Sequence, residues 1–266
     1  MTPSNRASDL AADVRMNAAV CSAKENRVKR IRMCAVGCVL LVGMALLGSV
    51  HAQTVSSAPA PLPAYTPPFD AAAAGMTPLF DGKTLNGWIG NPDTWKVVDG
   101  AIVATDGNQA LMTVNDYDNF RIIVSTVQVL EPTNHQGVCF WGNRPATGDW
   151  GYGGCMLVMP PMPFTWDYTT NAALAGNVLL SRDLNKELGV QKSQWTQAEI
   201  LVNRDKGTIR MAINGIEVLS YVDSNPSRFK KGPIGLQAHA KNREVRYKDI
   251  FIEVNPKEDR LITVHP

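Results

Sequence analysis

Gln237 and His239 stand two residues apart in a stretch where Ile234, Leu236, Ala238 and Ala240 alternate with Gly235, Gln237, His239 and Lys241. A period of two marks a half-buried strand, so the amide and the imidazole share the face opposite the apolar residues. An imidazole titrates near neutrality and serves as a general base, and an amide beside it engages a hydroxyl or a developing oxyanion. The plainer alternative is a strand with ordinary polar residues toward solvent. After Lys241-Asn242-Arg243 a second strand begins, with Val245 and Tyr247 on one parity and Ile250, Ile252 and Val254 on the other. That slip near Asp249 predicts a β-bulge, which keeps the apolar side chains on one face.

The elements that must position such a pair read as strands almost throughout. Residues 120–129 (FRIIVSTVQV) are the longest β-branched run and predict a central strand. Residues 95–104 predict a hairpin around Asp99-Gly100, because both turn positions tolerate positive φ. Residues 195–221 predict a three-strand meander turning at 204–207 and at Asn214-Gly215. Residues 137–141 and 152–159 are further strands that would pair around a Gly-rich loop. Residues 160–176, with three prolines and no clear period, predict a long surface loop. Residues 182–188 allow one or two helical turns. Many short strands with regular turn signals argue for an all-β, antiparallel β-sandwich or jelly roll.

The first 52 residues have a different character. Arg6, Arg15, Lys24, Arg27, Lys29, Arg30 and Arg32 outnumber Asp9, Asp13 and Glu25, so this leader is basic and the remainder mildly acidic. A basic run at 27–32, an apolar core at 33–50 and Val50-His51-Ala52 before Gln53 predict a secretory signal peptide at 1–52. The alternative is a single membrane anchor. The length of the basic region leaves Met16 and Met33 as further candidate starts. Residues 53–75, rich in Pro and Ala, predict an exposed linker. A β domain is expected over 76–256 and a tail over 257–266. The reading is therefore of an exported protein, periplasmic or secreted, with no membrane association once the leader is cleaved.

Export leaves Cys139 and Cys155, since Cys21, Cys34 and Cys38 fall in the leader. The pair is either a disulfide or two buried thiols acting as small hydrophobes. The acidic remainder gives no reason to expect nucleic acid. His135, His239 and His265 are too scattered for a metal motif, and no D-x-D-x-D-G loop occurs. No cofactor is implied, although a divalent metal stays open, as does the oligomeric state.

Four motifs in order, TPLFDGKTLNGW, WKVVDGAIVAT, WTQAEILVN with IRMAINGIEV, and GPIGLQAHAKNREVRYKDIFIEV, carry a family likeness. They resemble the 3-keto-disaccharide hydrolase domain family over residues 77–254. The resemblance implies a concanavalin A-like jelly roll and a hydrolase or lyase acting on glycosides oxidised to a ketone at C3. Such a ketone acidifies the C2 proton. A base can then remove it, the C1 substituent leaves by elimination, and water adds to the enone. With this resemblance His239 is the base candidate and Gln237 its polar partner, with Arg144 or Lys248 supplying a cation. His135 and Asn134 are further polar candidates, and Trp141, Trp150, Tyr152 and Trp166 offer platforms for sugar faces.

The sequence also departs from the family pattern. Trp141 stands near an expected Arg, and Gly151-Tyr152-Gly153-Gly154-Cys155 lacks the family's Glu and Gln. Tyr247-Lys248-Asp249 replaces Phe-Arg-Asn, and a Lys point charge is not equivalent to an Arg fork. Two functions follow: an enzyme on 3-keto-glycosides, or a non-catalytic sugar-binding or cell-envelope interaction module. Both take a small-molecule carbohydrate.

Overall fold

The computed structural model describes residues 62–105, 107, 109–130, 136–145, 151–154, 156–159, 162–170, 172–174, 177–178, 193–239 and 244–264. All lie in the second of the chain's two units, Ala60–Pro266. Sixteen strands occur among the described residues: β1 (Thr77–Pro78), β2 (Trp88–Ile89), β3 (Trp95–Val98), β4 (Ala101–Thr105), β5 (Gln109–Tyr117), β6 (Phe120–Leu130), β7 (Val138–Phe140) and β8 (Met156–Met159) come first. Then follow β9 (Met162–Asp167), β10 (Ala172–Leu174), β11 (Asn177–Val178), β12 (Thr196–Asn203), β13 (Thr208–Ile213), β14 (Ile216–Val222), β15 (Gly232–Ala238) and β16 (Glu244–Val254). Among the described residues the only helix is a 3-10 turn at Pro226–Arg228.

The strands form two antiparallel sheets. The larger has the order β11-β14-β13-β12-β6-β16-β4-β3, with β1 also pairing β16. The smaller has the order β10-β9-β8-β7-β15-β5-β2. Between them lies one apolar core, fed by Phe120, Ile122 and Val124 from β6, Ala198, Ile200 and Val202 from β12, and Ile234, Leu236 and Ala238 from β15. This is the all-β antiparallel sandwich expected.

The hairpin turns are where the sequence puts them. Asp99 and Gly100 take φ of 50° and 75°, and Asn214 and Gly215 take 47° and 83°. Asp249 has φ 48° at a register break between Lys248 and Phe251, so the bulge is real. Tyr247 and Ile250 both face the core across it.

Strands β15 and β16 are consecutive in the chain but lie in different sheets, the first in the smaller and the second in the larger. Expectations made elsewhere along the chain are corrected. Residues 160–176 are not simply a loop, because β9 and β10 extend the smaller sheet there. A register break beside Pro163 disguises the alternation, and prolines are tolerated at such bulges. Residues 182–188 lie outside the described residues, as do the leader and the chain up to residue 61.

The segment read as an exposed linker is docked from Tyr65 onward. Phe69 N donates to Gln197 Oε1 (3.0 Å), and Gln197 Nε2 donates back to Phe69 O (2.9 Å). Phe69, Ala71 and Met76 pack with Ile123, Phe251 and Ile262 on the outer face of the larger sheet. The tail covers the same face, where Leu261 and Val264 pack on Leu201 and Ala212. Strand β6 is thus buried on both sides, which is why its sequence reads as a nearly continuous apolar run.

Candidate functional site

Gln237 is held from beneath. Its backbone N–H donates to Gly137 O at 2.9 Å, tying β15 to the strand beside it. Tyr247 reaches across the core from the larger sheet, donating to Gln237 O at 2.6 Å and accepting from Gly137 N at 3.3 Å. Burial pushes this phenol far up, so it stays a neutral donor. A backbone fixed from two directions leaves only the side chain to be oriented.

On the outer face of the smaller sheet, Gln237 Nε2 donates to Tyr168 Oη at 2.7 Å. Gln237 is only 7% exposed, whereas Tyr168, Tyr152 and Trp166 are half-buried. The amide therefore lies under an aromatic layer rather than in front of it. Cys139 lies below too, fully buried and packed by Tyr152, Trp166 and Tyr168. Burial pushes its thiol well up, with a hydrogen bond from Tyr168 opposing. Burial likewise raises the Tyr168 phenol, so it remains protonated.

Tyr152 lies flat on this sheet because glycines let it. An added Cβ at Gly154 would stand 1.5 Å from its ring, and one at Gly235 would stand 3.0 Å away. Its hydroxyl donates to Pro233 O at 2.7 Å and accepts from Gly142 N at 3.2 Å. The Tyr152 and Tyr168 rings are 6.4 Å apart and inclined at 48°. Gly154 is thus a packing requirement of Tyr152, whereas Gly153, at the position of the family's Glu, lies against Asn143 O, 2.9 Å from where a Cβ would stand.

Asp167 anchors the turn that carries Tyr168. It accepts from Thr169 N (2.8 Å), Thr169 Oγ1 (2.6 Å) and Thr170 Oγ1 (2.8 Å). Arg228 Nε adds a fourth bond at 2.9 Å, and Arg228 also pairs with Asp223 at 2.8 Å. Burial alone would raise the Asp167 carboxyl, but the threonine and arginine bonds outweigh it and hold the group at about 2.

His239 follows the last residue of β15 and is half-buried. The remaining candidates scatter. Lys248 faces the outer side of the larger sheet, where its ammonium lies 4.9 Å from the Tyr65 ring and 4.5 Å from that of Trp195. Those rings stack at 5.8 Å, and Tyr65 Oη bonds Ser125 Oγ at 3.1 Å. Burial pushes the Tyr65 phenol up to about 12. A core separates Lys248 from Gln237, so it is no cation for that site. Arg144 is fastened to β5, donating to Thr113 O at 2.7 Å and pairing with Asp116 at 2.7 Å, which satisfies it away from the amide.

Trp141 is no sugar platform. Its φ of 59° turns it out of the strand alternation and into the core, fully buried against Phe140 and Phe229. Cys139 is a free buried thiol, not half of a disulfide, and its cross-strand neighbour is Leu157. Asn134, His135, Trp150 and Cys155 lie outside the described residues. No group of three or more metal-ligating side chains occurs among those described.

Tyr168 escaped the sequence reading. The signal that could have found it is Asp167 followed by Thr169 and Thr170, a side-chain-capped turn inside the supposed loop.

The family description for a 3-keto-α-glucoside-1,2-lyase-like domain matches residues 75–253. The chain belongs to that family. Among solved structures, it is similar to a provisionally assigned glycosyl hydrolase of Parabacteroides distasonis ATCC 8503. Identity is 16%, coverage is 71% of this chain and 98% of that one, and the TM-score is 0.50. A second protein of that organism with the same provisional assignment shows 20% identity, 67% and 98% coverage and a TM-score of 0.48. The carbohydrate-binding module CBM66 of Bacillus subtilis shows 12% identity, 67% and 96% coverage and a TM-score of 0.45. Among curated proteins none matches the sequence. The family match is to a lyase-like domain, and the likeness to the first of these structures bears on the fold alone.

Proposed function

We propose that the protein is an exported enzyme of 3-keto-glycosides and that the aromatic-lined outer face of the smaller sheet holds the sugar. The observation that carries this reading is the half-buried group of Tyr152, Trp166 and Tyr168 over Gln237, with His239 two residues further along. Aromatic rings suit the C–H faces of sugars, and the polar end of β15 supplies the chemistry. His239 would take the C2 proton, the electron pair would form the enolate, and the C1 substituent would leave with a proton from solvent or a neighbour. Addition of water to the enone completes hydrolysis. The basic run at 27–32 and the apolar run at 33–50 ending at Ala52 support export.

Incubation of the purified protein with a panel of 3-keto-glycosides, with and without divalent metal, tests the activity through release of free 3-keto-sugar. His239→Ala is expected to lower turnover on the order of 100-fold or more with the fold intact. An unchanged rate would remove His239 from the mechanism. A mature N-terminus at Gln53 in the periplasm or medium would support export, and an uncleaved membrane-bound chain would overturn it.

A second reading is a non-catalytic sugar-binding module. It is favoured by Gly153 and Cys155, which stand where the family pattern has Glu and Gln. Sugar binding without turnover of any panel member would select it.

A further inference from the structure

The geometry points to Tyr168 as a sugar-facing platform, with Gln237 as the positioning residue that fixes it from below. This inference rests on the reading that the outer face of the smaller sheet binds a sugar. Gln237, the polar side chain the sequence offers as a ligand contact, is the more buried partner of the pair. What it presents to the site is not its own amide but an oriented ring. Its Nε2 donates to Tyr168 Oη at 2.7 Å, which leaves the phenolic proton for Cys139 Sγ beneath. The ring is thereby held between two buried groups and inclined toward Tyr152.

The other end of the amide gives the reason to assign Gln237 a role beyond stability. Among the described residues, Gln237 Oε1 is buried with no hydrogen-bond partner. An unmet buried acceptor destabilises a fold, and an apolar side chain of similar volume would remove that cost. A glutamine there serves through its donor end. A ring fixed in its bound orientation binds more tightly than one that must be ordered on contact.

The two ideas separate in one set of measurements. The purified wild type is titrated calorimetrically with a 3-keto-α-glucoside and with its parent α-glucoside, beside Gln237→Leu, Tyr168→Phe, Tyr168→Ala and the Gln237→Leu/Tyr168→Phe double variant. Gln237→Leu is expected to melt at or above the wild-type temperature yet bind about tenfold more weakly, the worth of one hydrogen bond. Tyr168→Phe keeps the ring and loses the tether, so it should weaken binding similarly. The double variant should be no weaker than either single one, because both remove the same bond. Tyr168→Ala should bind weakest. Wild-type binding with unchanged affinity in Gln237→Leu and Tyr168→Ala overturns the platform alone. A lowered melting temperature in Gln237→Leu with affinity unchanged makes the amide merely structural. Absence of binding by the wild type to either sugar overturns the platform and the sugar-site reading together.

Discussion

The outer faces of the two sheets are built on opposite plans. That of the larger sheet is covered by residues 65–76 and 258–264 and contains buried charge. Arg121 and Glu199, 2% and 1% exposed, pair at 2.8 Å. Arg121 also bonds Glu253 and donates to Arg260 O at 2.7 Å, while Glu199 accepts from Ile262 N at 2.9 Å and Thr263 N at 2.8 Å. The outer face of the smaller sheet carries neutral hydrogen bonds, glycines and half-exposed rings. Charge taken out of water must be fully partnered, whereas aromatic rings remain stable with one side wet. The contrast identifies the first face as structural and the second as the one with surface left to offer.

Breaking the first face should be the costliest change. Glu199→Ala strands the Arg121 guanidinium and frees the tail, and a loss of about 3–5 kcal/mol in denaturant unfolding is expected. A loss below 1 kcal/mol would mean that the ion pair and tail contribute little.

Asp167 supports the second face indirectly. Its folded carboxyl, at about 2, lies below the unfolded value of about 3.9. Its contribution is therefore complete above about pH 4 and is lost as pH falls toward 2. Asp167→Asn should be less stable at neutral pH and show a flatter acid limb in melting temperature against pH. Parallel acid limbs for the two proteins would refute this assignment.

Tyr247→Phe removes two buried hydrogen bonds between the sheets and should cost about 1–3 kcal/mol, read by chemical denaturation. Lys248→Met should have the smallest effect, about 0.5–1 kcal/mol for the lost cation–π contact. It should leave sugar affinity unchanged in calorimetry. A lysine substitution that abolished binding would erase the distinction between the faces.

Much of the fold was legible because local rules acted alone. Asp99-Gly100, Asn214-Gly215 and the parity slip at Asp249 report backbone geometry that tertiary packing did not override. Sheet membership was not legible, since the same alternation in β15 and β16 serves either sheet. Lys248 and Gln237 are close in sequence but face outward from different sheets, so strand patterning could not separate them. Trp141 broke alternation through a positive φ that a bulky residue rarely adopts. Pro-rich composition argued for a free linker, yet Tyr65, Phe69 and Met76 within or beside it were the docking residues. In the site, Gln237 was found and its direction of action was not, because burial by distant Tyr168 is a tertiary fact.

Residues 65–76 and 258–264 meet through Ile262, which packs beside Phe69 and Met76. Domain boundaries that converge on one broad surface make a scaffold suited to circular permutation or head-to-tail closure. A linker joining them would run over the back of the sandwich. New termini opened in a turn such as Asn214-Gly215 would leave Tyr152, Trp166 and Tyr168 on uninterrupted chain, so an engineered display format can be built without touching the proposed sugar-facing side.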